Sequence, residues 1–111
     1  MIECSILVDD LGNVSGYRIQ GHSEMAPRGS DIVCAAVSAL GQAVALGLEK
    51  VVDLDPRVTV RDGYLECLLP AEAQEAEGFE AGQALLQTLE MGLRQIEEEY
   101  PGRVHVENVS G

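Results

Sequence analysis

The sequence is poor in basic residues, and this scarcity excludes one class of function. Seven lysines and arginines stand against 19 aspartates and glutamates, which gives a formal net charge of −12. Nucleic-acid binding needs cations that pair with phosphates, so we expect no direct nucleic-acid partner. An acidic surface attracts basic molecules, although it also serves simply to keep a protein soluble.

Cysteine is also scarce, and its spacing excludes two further classes. The three cysteines cannot all pair within one chain, and positions 4, 34 and 67 fit no zinc-ligand pattern. The absence of a Cys-x-x-Cys motif weakens a thiol redox function. Cys4 and Cys67 lie in strand-like runs, so we expect both to be small buried hydrophobic residues.

The sequence is also interpreted as having neither a signal peptide nor a membrane-spanning segment. Residues 2–8 are too short for a signal peptide and include Glu3. We find no apolar run that approaches the ~20 residues of a membrane helix. The expectation is therefore a cytoplasmic protein that has no membrane partner.

The periodicity of apolar residues predicts the fold. Alternation of apolar and polar residues indicates strands at residues 2–8, 14–20, 57–61, 64–69 and 103–109. Helical spacing indicates helices from about residue 31 to 50 and from 79 to 100. The order β-β-α-β-β-α-β predicts an α+β fold: a mixed sheet with two packed helices, in a single small domain over residues 1–111. For so small a domain, homodimer formation is a natural supplement to stability.

The first predicted helix is apolar on nearly all sides. One stripe comprises Val33, Val37, Leu40, Val44 and Leu48, and a second comprises Ile32, Ala36, Ala39, Ala43 and Leu46. Such a helix is expected to be covered on several sides. A third line of small residues, Cys34, Ser38, Gly41 and Ala45, permits the close approach of another backbone or of a substrate.

The chemistry is concentrated where the second strand passes into this helix. His22 follows the strand, and Ser30 or Asp31 is suited to cap the start of the helix. Cys34 is then expected in the first helical turn, where unpaired N–H groups and the helix dipole stabilise a thiolate. A cysteine there, with a histidine that the loop can return to it, has the parts of a nucleophile and its base.

These residues carry a resemblance to a known family. Gly21-His22, an eight-residue gap and the run DIVCAAVSAL from Asp31 resemble the ribosomal-processing cysteine proteases of bacteria, called Prp. Residues 93–101, LRQIEEEYP, resemble the second signature of that family. The resemblance implies that His22 and Cys34 are catalytic and that no cofactor or metal is needed. It also implies supporting positions at Gly21, Gly29, Asp31 and Ser38.

The resemblance also implies a substrate. The family removes a short N-terminal extension from a large-subunit ribosomal protein, number twenty-seven of that subunit, and cuts after an aromatic residue just before a basic segment. The sequence identifies no third residue that orients the histidine. Ser38 is expected either to hydrogen-bond within the site or to bond back to a helix carbonyl. An alternative function is a non-catalytic acidic module that escorts a basic ribosomal protein.

The loop between the two candidate catalytic residues is individual to this sequence. It contains Pro27 and Gly29, and it also carries the apolar residues Met25 and Ala26. We expect this loop to close over a bound peptide, with Met25 and Ala26 lining the channel. The other interpretation is a rigid loop in which Met25 fills a gap in the core.

Overall fold

The structure is a computed structural model that describes the backbone of residues 1–22 and 30–111, and the side chains of all of these except residues 30 and 31. It contains five strands and two α-helices in the predicted order. Their bounds are β1 (Ile2–Val8), β2 (Val14–Gly21), α1 (Ser30–Leu46), β3 (Arg57–Arg61), β4 (Tyr64–Leu68), α2 (Phe79–Glu99) and β5 (Val104–Ser110). A π-helical turn, Gly47–Val51, continues α1, and a 3₁₀ turn, Ala71–Glu75, precedes α2.

The five strands form one mixed sheet in the order β3-β4-β2-β1-β5. Strand β1 pairs antiparallel with β2 and parallel with β5. Strand β4 pairs antiparallel with β2 on one side and with β3 on the other. The β3–β4 hairpin turns through Asp62-Gly63, as that dipeptide predicts. The order therefore leaves β3 and β5 as the two edges of the sheet.

The core lies between one face of the sheet and the two helices. Alternate residues of β1, Ile2, Cys4 and Ile6, are at most 2% exposed. They share this core with Val33 and Val37 of α1 and with Leu86, Leu89 and Leu93 of α2. The opposite face carries polar side chains, among them the Arg18–Glu66 ion pair at 3.0 Å. The α+β prediction is thus confirmed, with both helices on one face.

The small residues of α1 permit close contact with the sheet, as expected. A Cβ on Gly41 would lie 2.6 Å from the side chain of Leu65 and 2.8 Å from that of Ile19. The buried Tyr17 hydroxyl donates a 2.6 Å hydrogen bond to the Gly41 carbonyl. Burial raises the pKa of Tyr17, so the phenol stays protonated and remains a donor. This contact holds α1 at a fixed height over β2.

The second apolar stripe of α1 is not covered, which corrects one expectation. Ile32 and Leu46 are 62% and 54% exposed, and the alanines between them on this stripe, Ala36, Ala39 and Ala43, are also exposed. The reason is that the sheet and α2 pack on the stripe that contains Val33 and Val37 and on the line of small residues that contains Gly41, so the remaining stripe faces away from both. The 20-residue segment Ile32–Val51, which contains an 18-residue window of mean hydropathy 1.7, is also long and apolar enough to cross a membrane.

The segment Ile32–Val51 thus has the length and the composition of a membrane span, so the expectation that no apolar run reaches that length was wrong. Both interruptions by charge, Glu49 and Lys50, lie at the end of that segment, so they do not divide it. Length and composition are weak evidence for a membrane span, because the core helix of a globular domain passes the same test. Here the helix packs one face against a sheet through buried residues such as Val37.

A buried glutamine fastens α2 to the start of β2. Gln83 is 9% exposed, and its side-chain amide makes two 2.8 Å hydrogen bonds with the backbone of Val14. Its oxygen accepts from the Val14 N–H, and its nitrogen donates to the Val14 carbonyl. The amide thereby acts like a neighbouring strand at the place where the β1–β2 register shifts. Helical periodicity gave no indication of this role.

Replacing Gln83 with leucine is expected to destabilise the protein. The change keeps the volume but leaves the N–H and C=O of Val14 unpaired in the core, at a cost of about 1–3 kcal/mol for each group. The control is Gln87→Leu, since Gln87 lies on the exposed side of α2. Urea unfolding of both variants provides the measurement. Equal stability of the two variants would show that the Gln83 contacts contribute nothing.

Candidate active site

His22 is held at the end of the central strand β2. The backbone turns at Gly21, which has φ +101°, and a Cβ there would lie 2.4 Å from the Met1 carbonyl oxygen. Only glycine meets both conditions. The Gly21 N–H donates a 2.9 Å hydrogen bond to the Gly63 carbonyl, so β2 remains tied to the β3–β4 turn at this point. His22 follows directly and is exposed.

The β3–β4 turn forms the surface on which the imidazole of His22 rests. A Cβ on Gly63 would lie 2.8 Å from His22 Nε2 and 3.2 Å from Cε1. Gly63 also has φ +68°, so any other residue would be strained as well as too close. Within residues 1–22 and 30–111, no side chain hydrogen-bonds to His22. The ring is therefore positioned there by contact with a backbone.

Cys34 is the half-buried cysteine of α1. The helix begins at Ser30, so Cys34 is its fifth residue and starts the second turn, which corrects the expected place in the first turn. In such a helix the N–H of Cys34 already reaches the carbonyl four residues back, and the unpaired N–H groups lie in the turn before it. The side chain still leans toward the helix N-terminus, because Cα–Cβ bonds of a helix tilt that way.

His22 and Cys34 line the same cleft, which has a volume of about 400 Å³. Its floor comes from the apolar residues Ile2, Ile19, Val37 and Leu65 of the sheet and α1. Its rim comes from Ser38 and Gln42 of α1 and from residues 60–64 around the β3–β4 turn. The cleft is thus a concave site with an apolar floor and a largely polar lining, and a thiol and an imidazole both border it, as a peptide hydrolase requires.

The other two cysteines are excluded from this chemistry by burial. Cys4 and Cys67 are 1% and 0% exposed, as predicted. Burial, aided by the charge of Glu97, raises the pKa of the Cys4 thiol to about 12. Burial raises that of Cys67 to about 11, although a hydrogen bond with Tyr17 opposes the change. Both thiols are protonated at neutral pH and hence poor nucleophiles.

The remaining predicted site residues are placed as follows. Gly21 and Ser38 line the cleft together with His22 and Cys34. Ser38 is exposed there and makes no hydrogen bond within the described part of the chain, so it does not bond back to a helix carbonyl. Asp31 lies in the first turn of α1, and its side chain is outside what the structure describes. Met25, Ala26 and Gly29 lie outside the described residues, as does the expectation of a closing loop.

Sequence reasoning missed the contribution of the β3–β4 hairpin to the site. Residues 60–65 all line the cleft, and Gly63 touches the imidazole. The Asp62-Gly63 dipeptide predicted the turn, yet nothing in the sequence predicted that this turn lies beside His22. The missing information was the pairing of β4 with β2, which aligns Gln20 with Tyr64 and brings the turn to that place.

The fold and the site define a class: an α+β enzyme with a cysteine nucleophile. The sequence profile of the family described as cysteine protease Prp matches residues 1–105. The chain therefore belongs to the Prp family and is a cysteine protease, which confirms the resemblance seen in the sequence. Among curated proteins, a search finds no match.

Solved structures agree with this assignment. The essential ribosomal processing protease Prp from S. aureus, in complex with a substrate peptide, is 26% identical, with a TM-score of 0.83 over 98% of this chain and 100% of that one. The same protease with a covalently linked product peptide is 27% identical, with the same TM-score and coverage. SMU.848 from Streptococcus mutans is 25% identical, with a TM-score of 0.81 over 100% of this chain and 96% of that one.

Proposed function

We propose that this protein removes the N-terminal extension of a bacterial large-subunit ribosomal protein, number twenty-seven of that subunit, in the cytoplasm. The observation that carries the proposal is the shared cleft of Cys34 and His22 in a Prp-family chain. The relatives from S. aureus support the substrate class, since one is a ribosomal processing protease that holds a substrate peptide. The net charge of −12 also suits a basic substrate.

The chemistry follows from these two side chains. The Cys34 thiolate attacks the carbonyl carbon of the scissile bond and forms a C–S bond, and the carbonyl oxygen takes the negative charge. His22, as imidazolium, donates its proton to the leaving amine, so the C–N bond breaks and a thioester remains. A water molecule, deprotonated by neutral His22, then attacks the thioester; the C–S bond breaks, the acid product leaves, and the thiolate–imidazolium pair is restored.

The oxyanion of this reaction needs hydrogen-bond donors close to the sulfur. Because the Cys34 N–H is used within the helix, the available donors at this end of α1 are the N–H groups of the first turn. The positive end of the helix dipole also lies there and stabilises both the thiolate and the oxyanion. Cys34 lies on the second turn, and its side chain leans toward the helix N-terminus. This direction brings the sulfur toward the N–H groups of the first turn that would bind the oxyanion.

Cys34→Ala and His22→Ala are each expected to abolish cleavage of the extended ribosomal protein while the fold survives. The double variant should be no worse than either single one, because a nucleophile and its base act as a unit. The control is Cys67→Ala, which removes a buried thiol that takes no part in the chemistry. Mass spectrometry of the substrate and circular dichroism of each variant measure the two effects. Cleavage by Cys34→Ala at a near-normal rate would remove the protease mechanism.

We also propose that the protein is a homodimer that pairs through the uncovered stripe of α1. This stripe consists of Ile32, Ala36, Ala39, Ala43 and Leu46, all exposed. Alanines along one helix face let a second backbone approach closely, and the larger residues at each end add apolar area. The stripe does not line the cleft itself, because Ser38 and Gln42 face the cleft from a neighbouring side of the helix, but its last residue, Leu46, borders the adjacent cavity at β3.

Ala39→Glu is expected to convert the dimer to a monomer, because the interface would have to bury an unpaired carboxylate. Ala84→Glu on the exposed side of α2 adds the same charge elsewhere and should leave the dimer intact. Analytical ultracentrifugation of the wild type and both variants measures the association. A monomeric wild type, or a dimer that survives Ala39→Glu, would contradict the proposed interface.

A further inference from the structure

The two edge strands of the sheet, β5 and β3, differ in whether side chains bond to their outward backbone groups. At the β5 edge, side chains of α2 reach over the strand and occupy its outward backbone groups. Glu97 accepts a 3.0 Å hydrogen bond from the Val106 N–H, and Arg94 donates a 3.3 Å bond to the Val106 carbonyl. An exposed strand edge is a template for pairing with another chain, and this edge is closed in the usual protective manner.

Within residues 1–22 and 30–111, no comparable side-chain contacts cover the β3 edge, and the register shows which of its backbone groups point outward. The Leu69 N–H bonds to Ser15 and the Gly63 carbonyl accepts from Gly21, so the odd-numbered residues of this segment point their backbone groups toward β2. The even-numbered residues of β4 therefore pair with β3. Glu66 is opposite Thr59, so Thr59 is bonded within the sheet, whereas Val58 and Val60 point their N–H and C=O groups outward.

The side chains of these two valines form the floor of a groove. Val58 is opposite the buried Cys67, and Val60 is opposite the buried Leu65, so both valines lie on the helix side of the sheet. No helix covers them, and they are 42% and 59% exposed. A second cavity of about 350 Å³ lies between this part of β3 and α1. The groove is therefore apolar at its floor and has unpaired backbone donors and acceptors along one side.

This groove is continuous with the catalytic cleft. Gln42, Val60 and Leu65 line both cavities. Strand β3 runs from the far end of the groove toward the turn that touches His22, while α1 runs from Cys34 back along the same groove. A chain lying along β3 thus reaches the cleft that Cys34 lines.

From this continuity, and resting on the proposed proteolytic function, we propose that the substrate binds as a sixth strand on β3. An extended peptide segment beside the scissile bond pairs its backbone with the outward N–H and C=O groups of Val58 and Val60. Every second side chain of that segment then points into the groove against the two valines. The main chain supplies the affinity, and the groove selects apolar side chains at alternate positions.

A second copy of this chain is a poorer occupant of the same edge. Antiparallel pairing of two β3 strands, centred on Thr59, places Arg57 of each copy opposite Arg61 of the other. Like charges directly opposite each other destabilise a strand pair. An apolar peptide segment on one side of the scissile bond carries no charge opposite Arg57 or Arg61 and so avoids this penalty, so the charges on β3 favour such a segment over a second copy.

Amide hydrogen exchange followed by NMR tests the pairing directly. The probe is a ten-residue peptide that spans the scissile bond of the extended ribosomal protein, bound to Cys34→Ala so that it stays intact. The N–H groups of Val58 and Val60 should exchange rapidly in the free enzyme and slow at least about tenfold when the peptide is bound. Thr59, already paired with β4, is the internal control and should change little.

N-methylation of single peptide bonds in the same peptide provides a second measurement. Pairing with one strand edge uses every second N–H of the peptide. Methylation of a nitrogen that pairs with β3 should therefore weaken binding to Cys34→Ala by about three- to tenfold. Methylation of the nitrogens between them should leave binding unchanged. Val60→Pro removes one outward donor without touching the β3–β4 ladder and should weaken the parent peptide similarly. Val60→Thr keeps that donor and is the matched control.

The outcomes separate this inference from the proposed function. If the wild type does not cut the parent peptide, the proposed function and this inference both fail. If the peptide is cut but Val58 and Val60 remain unprotected, or the methyl scan shows no alternation, the strand pairing alone is wrong. Protection of both valines in the free enzyme at high concentration would show that a second copy occupies the edge. Because the peptide experiments use variants outside β3, misfolding of Val60→Pro would not affect them.

Discussion

The contact between the imidazole of His22 and the backbone of Gly63 is the constraint on which the site depends. A Cβ at Gly63 would lie 2.8 Å from Nε2, so the ring can rest there only because that residue is glycine. The Gly21–Gly63 hydrogen bond of 2.9 Å fixes the turn against the end of β2. The turn at Gly63 thus limits where the ring of His22 can lie.

Cys34 is positioned by a second set of contacts, between α1 and the sheet. The Tyr17 hydroxyl bonds to the Gly41 carbonyl, and β2 carries both Tyr17 and the glycine that precedes His22. One strand therefore sets the height of the helix that holds Cys34 and also presents His22. The hairpin β3–β4 closes the third side of the cleft that both residues line.

Most of the fold could be predicted from the sequence, because strand alternation and helical spacing are local signals. The motif around His22 and Cys34 gave the candidate pair for the same reason. The roles of Gly63 and Gln83 could not be predicted, since each depends on a contact between residues far apart in sequence. The exposure of Ile32 and Leu46 was missed because apolar character does not show which helix faces are packed in one copy of the chain.

The measurement that tests the account most directly compares Gly63→Ala with Gly102→Ala. Both glycines have positive φ, +68° and +81°, so both changes strain the backbone alike, but a Cβ on Gly102 meets nothing within 4 Å. We expect similar losses of thermal stability in the two variants, and a kcat for peptide cleavage that falls on the order of a hundredfold only in Gly63→Ala, because the imidazole is displaced. A Gly63→Ala enzyme with the kcat of Gly102→Ala would show that the turn does not position the base.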